Sequence, residues 1–324
     1  MLTNILLLIF GLILLIAGGE FLVKSAVSFA KKLNVSPFLI GVTVVSFGTS
    51  APELMVSIQA AFDGAAGISV GNVIGSNIAN IGLVLGLTAI VKPIIIEKKK
   101  YIVSWFFMFG AAILMFPIIN NPFGDGVEVS FFEGLFLVFC LLVFIIVSIK
   151  FIKIDDSEID ADKDFKVLIS LLFLFLGSAG LYFGSELFVS NSIVIARSVG
   201  ISEFVIGVTI VAFGTSLPEL VTSVVAVFRG QNSISIGNLI GSNIFNVFAV
   251  LGITSIVKPL FSEFYDSGTI LSIVFMVSIS MLMGLYLFFG KKISRLKGVI
   301  LLAGYVIYIA VSYTHLTLPT KVRV

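Results

Sequence analysis

Residues 36–93 can be laid over residues 202–259 at a constant offset of 166 without a gap, and 36 of the 58 positions are identical. Gly48-Thr49-Ser50-Ala51-Pro52-Glu53-Leu54 matches Gly214-Thr215-Ser216-Leu217-Pro218-Glu219-Leu220. Gly71-Asn72-Val73-Ile74-Gly75-Ser76-Asn77-Ile78-Ala79-Asn80 matches Gly237-Asn238-Leu239-Ile240-Gly241-Ser242-Asn243-Ile244-Phe245-Asn246. Outside this stretch Glu20 falls opposite Glu186 at the same offset. The chain is therefore two homologous halves, and any fold must accommodate the same half twice.

The solvent for that fold follows from composition. Hydrophobic residues make up 58% of the 324, charged residues only 12%, and mean hydropathy is +1.18. A soluble domain carries about 25% charge, and disorder needs high charge with low hydrophobicity, so both are excluded. A helix needs roughly 20 apolar residues to cross about 30 Å of hydrocarbon. Ten such spans are expected, near 3–30, 36–62, 68–91, 101–119, 128–150, 166–196, 203–228, 234–257, 268–289 and 296–312. The first is too long, and too poor in leading basic residues, for a cleavable signal peptide. Residues 1–150 and 166–310 then form two five-helix repeats, joined by an acidic linker at 151–165.

Five is odd, so the second half must enter the membrane from the opposite side. The expected fold is an all-α polytopic membrane protein of ten transmembrane helices, built as two inverted five-helix repeats. This plan is common to secondary transporters. Two like halves give inward-facing and outward-facing forms of similar energy, and alternating access follows. Duplication could also build a mere scaffold, but the identity concentrates in polar segments that a scaffold does not need. With the N-terminus outside, the loops after spans 1, 3, 5, 7 and 9 hold fifteen Lys and Arg, against Arg197 and Lys258 in the opposite loops. The excess of Lys and Arg marks the cytoplasmic side.

The polar segments lie within spans. Gly-Thr-Ser-x-Pro-Glu puts glycine and proline inside spans 2 and 7, where proline removes a backbone hydrogen bond. Interrupted helices at matching points are expected, with backbone oxygens of Ser46 and Ala212 offered just before the breaks. In lipid such oxygens are tolerated only in protein or a hydrated cavity. Thr49, Ser50 and Glu53 lie within about a turn of one another, as do Thr215, Ser216 and Glu219. In spans 3 and 8, Asn72, Ser76 and Asn80 share one helix face, as do Asn238, Ser242 and Asn246. The accompanying glycines read as helix packing. Interhelical hydrogen bonding explains Asn72 and Asn77 and their mates better than it explains Asn80 and Asn246, which lie deeper in their spans.

Glu53 and Glu219 carry the strongest argument. A charge at the bilayer centre costs about 2.5–3.5 kcal/mol on insertion scales. Spans 2, 3, 7 and 8 contain no Lys or Arg to pair with either. Two neutral structural acids would answer the difficulty, but the hydroxyls and helix breaks beside both point to a bound cation. Carboxylates, hydroxyls and carbonyls are hard oxygen ligands, suited to Ca2+, Na+ or Mg2+. A charge of −2 is balanced by one Ca2+ or two Na+. A site too costly to leave empty moves most easily when loaded, which is the logic of an antiporter. A channel is the weaker reading, since two helix breaks do not make a pore ring. An intramembrane hydrolase at Ser50 or Ser216 lacks a His or Lys base.

These motifs closely resemble the two alpha-repeats of the calcium/cation antiporter superfamily, and prokaryotic sodium/calcium exchangers in particular. The resemblance implies a prokaryotic plasma-membrane protein that exchanges Na+ for Ca2+ at a central four-ion site. Its implied ligands are Thr49, Ser50, Glu53, Ser76, Thr215, Ser216, Glu219 and Ser242, with carbonyls of Ser46 and Ala212. Asn80 and Asn246 complete the candidate set. It further implies that spans 1 and 6 slide as a pair against the other eight. Some members, including potassium-dependent exchangers, carry Asp where Asn246 stands, so Asn246 argues against potassium co-transport. Proton/calcium exchange on the same carboxylates is the alternative, although that branch usually carries a different acidic motif in spans 3 and 8.

The remaining features limit the list. A net charge of +2 gives no reason to expect a nucleic-acid partner. Cys140 stands alone within an apolar run, which excludes a disulfide framework. No cofactor, obligate protein partner or enzymatic activity is expected; the partners are Ca2+, Na+ and the bilayer. Residues 311–324 interrupt the last apolar run and read like the translation of a transposase-type sequencing adapter. They are expected to be a non-native tail, so His315, the only histidine, carries no functional weight.

Overall fold

The computed structural model describes residues 1–120, 127–152, 166–201, 212–261 and 267–317. Most of the linker, the first part of span 7 (203–211) and the last seven tail residues lie outside them. Ten helices are seen: α1 (Leu2–Leu33), α2 (Pro37–Phe62), α3 (Ala66–Val91), α4 (Lys98–Asn120), α5 (Phe131–Phe151), α6 (Val167–Ser198), α7 (Leu217–Phe228), α8 (Asn232–Val257), α9 (Ser267–Phe289) and α10 (Arg295–Thr317). Nine of them, among the described residues, are long and apolar enough to cross a membrane, and α7 is a shorter apolar helix. Its lead-in is a single helical turn, Ala212–Gly214. Helix α10 continues through the start of the tail, to Thr317.

Local chemistry sets the helix ends. Ser36 caps α2 by accepting from Leu39 N at 3.1 Å, with Pro37 at the first helical position. Ser130 and Glu133 form a capping box at the start of α5. Lys92 donates to Val227 O at 2.8 Å, at the C-terminal end of α7. Its repeat mate Lys258 donates to Phe62 O at 3.0 Å, at the end of α2. Each ammonium meets carbonyls in the last turn of a helix, at the negative end of the helix dipole.

Helices α3 and α8 form the centre. In their apolar windows 83% of residues are buried, against 28% in α1 and α6. Both contain a π-helical segment at the same repeat position, Asn80–Leu85 and Asn246–Leu251. At the edge α1 and α6 pack antiparallel, backbone on backbone. A Cβ on Gly11 would lie 2.9 Å from Gly184 O, and one on Gly18 would lie 2.8 Å from Gly177 O. Only glycine permits that approach. An apolar cavity of about 450 Å3 lies between α1, α2 and α6, with Leu22, Phe47, Pro52 and Phe175 in its walls.

The expected all-α fold holds, apart from two short ribbons. Strand β1 (Ile94–Ile95) pairs with β4 (Lys292–Ile293), and β2 (Val127–Val129) pairs with β3 (Leu260–Phe261). Each ribbon joins one half to the other.

Candidate cation site

The two repeats bring α2, α3, α7 and α8 together around buried oxygen atoms. Glu53 on α2 is 2% exposed and Glu219 on α7 is fully buried. None of their four oxygens has a hydrogen-bond partner, and neither group forms an ion pair among the described residues. The hydroxyls of Ser50 and Ser216 and the side-chain oxygens of Asn80 and Asn246 are likewise buried and unpartnered. Uncompensated buried polar atoms are rare, and each one needs an explanation. Eight oxygens on four repeat-related helices share one: they fit a ligand that is a cation. No group of three or more His, Cys, Asp and Glu occurs among the described residues, so neutral oxygens must complete any such shell. The site excludes softer metals by the same chemistry.

Thr49, fully buried, has its hydroxyl 3.1 Å from Asn238 Oδ1 and 3.2 Å from Ser242 Oγ. Thr49 and Ser242 also lie beside Glu219. Ser76, 4% exposed, stands on α3 one turn before Asn80. Asn72 donates to Glu53 O at 3.2 Å and to Ser57 Oγ at 3.0 Å, which braces the turn that presents Glu53.

The helix interruptions differ from expectation. Helix α2 does not break at its motif. It passes through a π-helical turn at Gly41–Val45 and continues as α-helix through Pro52. Span 7 does break: Thr215 and Ser216 form a turn between Ala212–Gly214 and α7, with Ser216 N donating to Phe213 O at 3.3 Å. Thr215 is consequently exposed, unlike Thr49, and stands apart from the buried cluster. The carbonyl that a helical proline frees lies four residues back, which is Gly48 for Pro52 and Gly214 for Pro218. Ser185 of α6 donates to Gly214 O at 2.8 Å, so that oxygen is occupied. Ser46 O accepts the Thr49 hydroxyl at 3.3 Å, while Ser46 Oγ donates to Gly41 O at 2.8 Å and lies 3.0 Å from Asn238 O. Ala212 opens the single helical turn that precedes this break.

Helix packing by the second pair of motif glycines is as expected. A Cβ at Gly237 would lie 2.9 Å from Phe38 O of α2. At Gly71 and Gly75 no described residue approaches within 4 Å. Ser185, Asn77 and Asn243 were not singled out as site residues in the sequence. Of these, only the repeated Gly-Ser-Asn-Ile-x-Asn spacing offered a signal.

A family model for sodium/calcium exchanger proteins matches residues 3–150 and 169–314. The sodium/calcium exchanger MaX1 of Methanosarcina acetivorans is 35% identical over 96% of this chain and 99% of its own length. An uncharacterized membrane protein of Methanocaldococcus jannaschii is 40% identical over 93% of this chain and 95% of its own. The solved structure of the sodium-calcium exchanger NCX_Mj, soaked with Na+ and Ca2+, superposes with a TM-score of 0.77 at 37% identity. It covers 95% of this chain and 98% of that one.

Proposed function

This chain belongs to the sodium/calcium exchanger protein family, and on that premise we propose that it exchanges Na+ for Ca2+ across the membrane at the Glu53/Glu219 site. It is an integral membrane transporter and not an enzyme. The observation that carries the ion assignment is the pair of buried carboxylates, unpartnered on all four oxygens, on helices whose Ser50, Ser216, Asn80 and Asn246 oxygens also lack partners. Two such charges in a low-dielectric interior are unstable without counter-charge. One Ca2+ supplies two positive charges and accepts six to eight oxygen ligands; two Na+ supply the same charge. Competition for one set of carboxylates converts a gradient of one ion into movement of the other.

The ligand set is Glu53 and Glu219 with Ser50, Ser216, Thr49, Ser76, Ser242, Asn80 and Asn246. Ser46 and Ala212 would supply backbone oxygens, and Thr215 would join once its turn closes. The ions reach the site alternately from each side as α1 and α6 slide past the remaining helices. The N-terminus lies outside, as the distribution of Lys and Arg requires.

The decisive experiment is 45Ca uptake into proteoliposomes, driven by an outward Na+ gradient with the pH gradient collapsed. Uptake that follows Na+ supports the reading. Uptake that follows only a pH gradient replaces it with proton/calcium exchange on the same carboxylates.

A further inference from the structure

The four deep asparagines form a closed hydrogen-bonded set across the interface of α3 and α8. Asn77 Nδ2 donates to Asn243 O at 3.2 Å, and Asn243 Nδ2 donates to Asn77 O at 3.3 Å. These residues are repeat mates, so the reciprocal pair sits where the two halves meet. Asn246 Nδ2 donates to Asn77 Oδ1 at 3.1 Å, and Asn80 Nδ2 donates to Asn243 Oδ1 at 3.0 Å.

The direction of every bond follows from one constraint. A backbone carbonyl can only accept. Asn77 and Asn243 must therefore turn their NH2 groups toward the opposing backbone, which leaves Oδ1 as the atom facing Asn246 or Asn80. Those two amides must meet an oxygen with their own NH2. Their remaining oxygens, Asn80 Oδ1 and Asn246 Oδ1, are both buried and unpartnered. The π-helical segment that Asn80 opens packs on α7, which carries Glu219. The segment that Asn246 opens packs on α2, which carries Glu53.

We propose that Asn77 and Asn243 are positioning residues that hold the amides of Asn246 and Asn80 with oxygen, never nitrogen, presented to the transported cation. The inference rests on the cation-exchange reading above. An amide free to flip would offer NH2, which repels a cation, for part of the time. The fixed set offers two neutral oxygen ligands and adds no charge to the −2 of the carboxylates. The control is crossed: Asn77 acts on Asn246 and Asn243 acts on Asn80. In Asn77→Ala the backbone oxygen of residue 77 remains, so Asn243 keeps its orientation and Asn80 is undisturbed.

The test is equilibrium 45Ca binding to the full chain in detergent, with each variant checked for monodispersity. Loss of an outer-shell partner lowers metal affinity by about 10–100-fold, and that loss is expected for Asn77→Ala and Asn243→Ala. Asn77→Ala should add nothing further in the Asn246→Ala background, and Asn243→Ala nothing further in the Asn80→Ala background. The mismatched combinations, 77 with 80 and 243 with 246, should be additive. If Asn77→Ala is not recovered folded, Asn77→Ser takes its place, because its hydroxyl is too short to reach Asn246. Wild-type affinity in the single variants, or additivity in all four cycles, overturns the proposal alone. Absence of Ca2+ binding to the unaltered chain overturns the functional reading, and this inference with it.

Discussion

Glu20 of α1 accepts two hydrogen bonds from the guanidinium of Arg229, in the turn between α7 and α8, with Nε 2.7 Å from Oε2. Lys24, one turn further along α1, lies at 3.7 Å from the same oxygen. The repeat mates of these residues are Glu186, Asp63 and Ser190, two acids and a neutral residue. Glu186 and Asp63 form no ion pair among the described residues; Asp63 accepts instead from Gln59 at 3.0 Å. Among the described residues the clasp at Glu20 has no counterpart in the other half.

Arg229→Asp should therefore release α1 at the Arg229 end. A partly exposed ion pair contributes about 0–1 kcal/mol, so up to about a fivefold change in apparent Ca2+ affinity is expected at that face. The opposite face should change less. Sided 45Ca flux measurements in oriented vesicles check this. Equal changes at both faces would reduce the pair to a general contribution to stability.

Glu53→Gln or Glu219→Gln should abolish Na+-driven 45Ca uptake while leaving a monodisperse folded protein. Gln keeps the shape and removes the charge, so the buried-charge cost disappears together with cation affinity. Retained Ca2+ transport by either variant rejects the site.

Removing Ca2+ with a chelator should lower the unfolding temperature of the unaltered chain in Na+-free buffer. A ligand at a hundred times its Kd stabilises the folded form by about 2.7 kcal/mol. The chelator-dependent shift should vanish in Glu53→Gln. A scan with and without chelator on both proteins reads this directly.

Potassium should have no effect on exchange, because Asn246 carries no charge with which to bind an additional monovalent ion. Replacing K+ with choline on both sides should leave the initial rate of 45Ca uptake unchanged. A K+-stimulated rate would show that neutral oxygens suffice for K+ here.

Lys92→Met and Lys258→Met should each cost about 0.3–1 kcal/mol, the usual worth of a cation at a helix C-terminus. The ammonium at each position bonds to the last turn of α7 or α2. Thermal unfolding should detect the loss, with ion affinity at the central site unchanged.

The spans were legible because lipid imposes length and apolarity on each one, and predicted ends such as 68–91 and 268–289 fall within two residues of α3 and α9. The inversion followed from counting. Glu53 and Glu219 were legible because an ionisable group at that depth has few structural explanations. The π-helical segments of α3 and α8 were not, since a π turn inserts no distinctive residue type and depends on the packing around it. The exposed turn at Thr215 was hidden for a different reason. Its Phe-Gly-Thr-Ser also stands in the continuous helix at Thr49, so those four residues alone do not separate the two conformations. The two ribbons are two or three residues long, too short to show alternation. The pairing of Glu20 with Arg229 joins residues 209 apart, and no local spacing rule reaches that far.

The glycine contact between α1 and α6 has no interlocking side chains at Gly11, Gly18, Gly177 and Gly184. Backbone pressed on backbone there behaves like two rails bolted face to face. In the sliding proposed above the pair travels as one carriage, and its motion relative to α2 is taken up along the apolar hollow that α1, α2 and α6 line. A tether between α1 and α6 should leave the carriage running, whereas a tether from either of them to α2 should jam it.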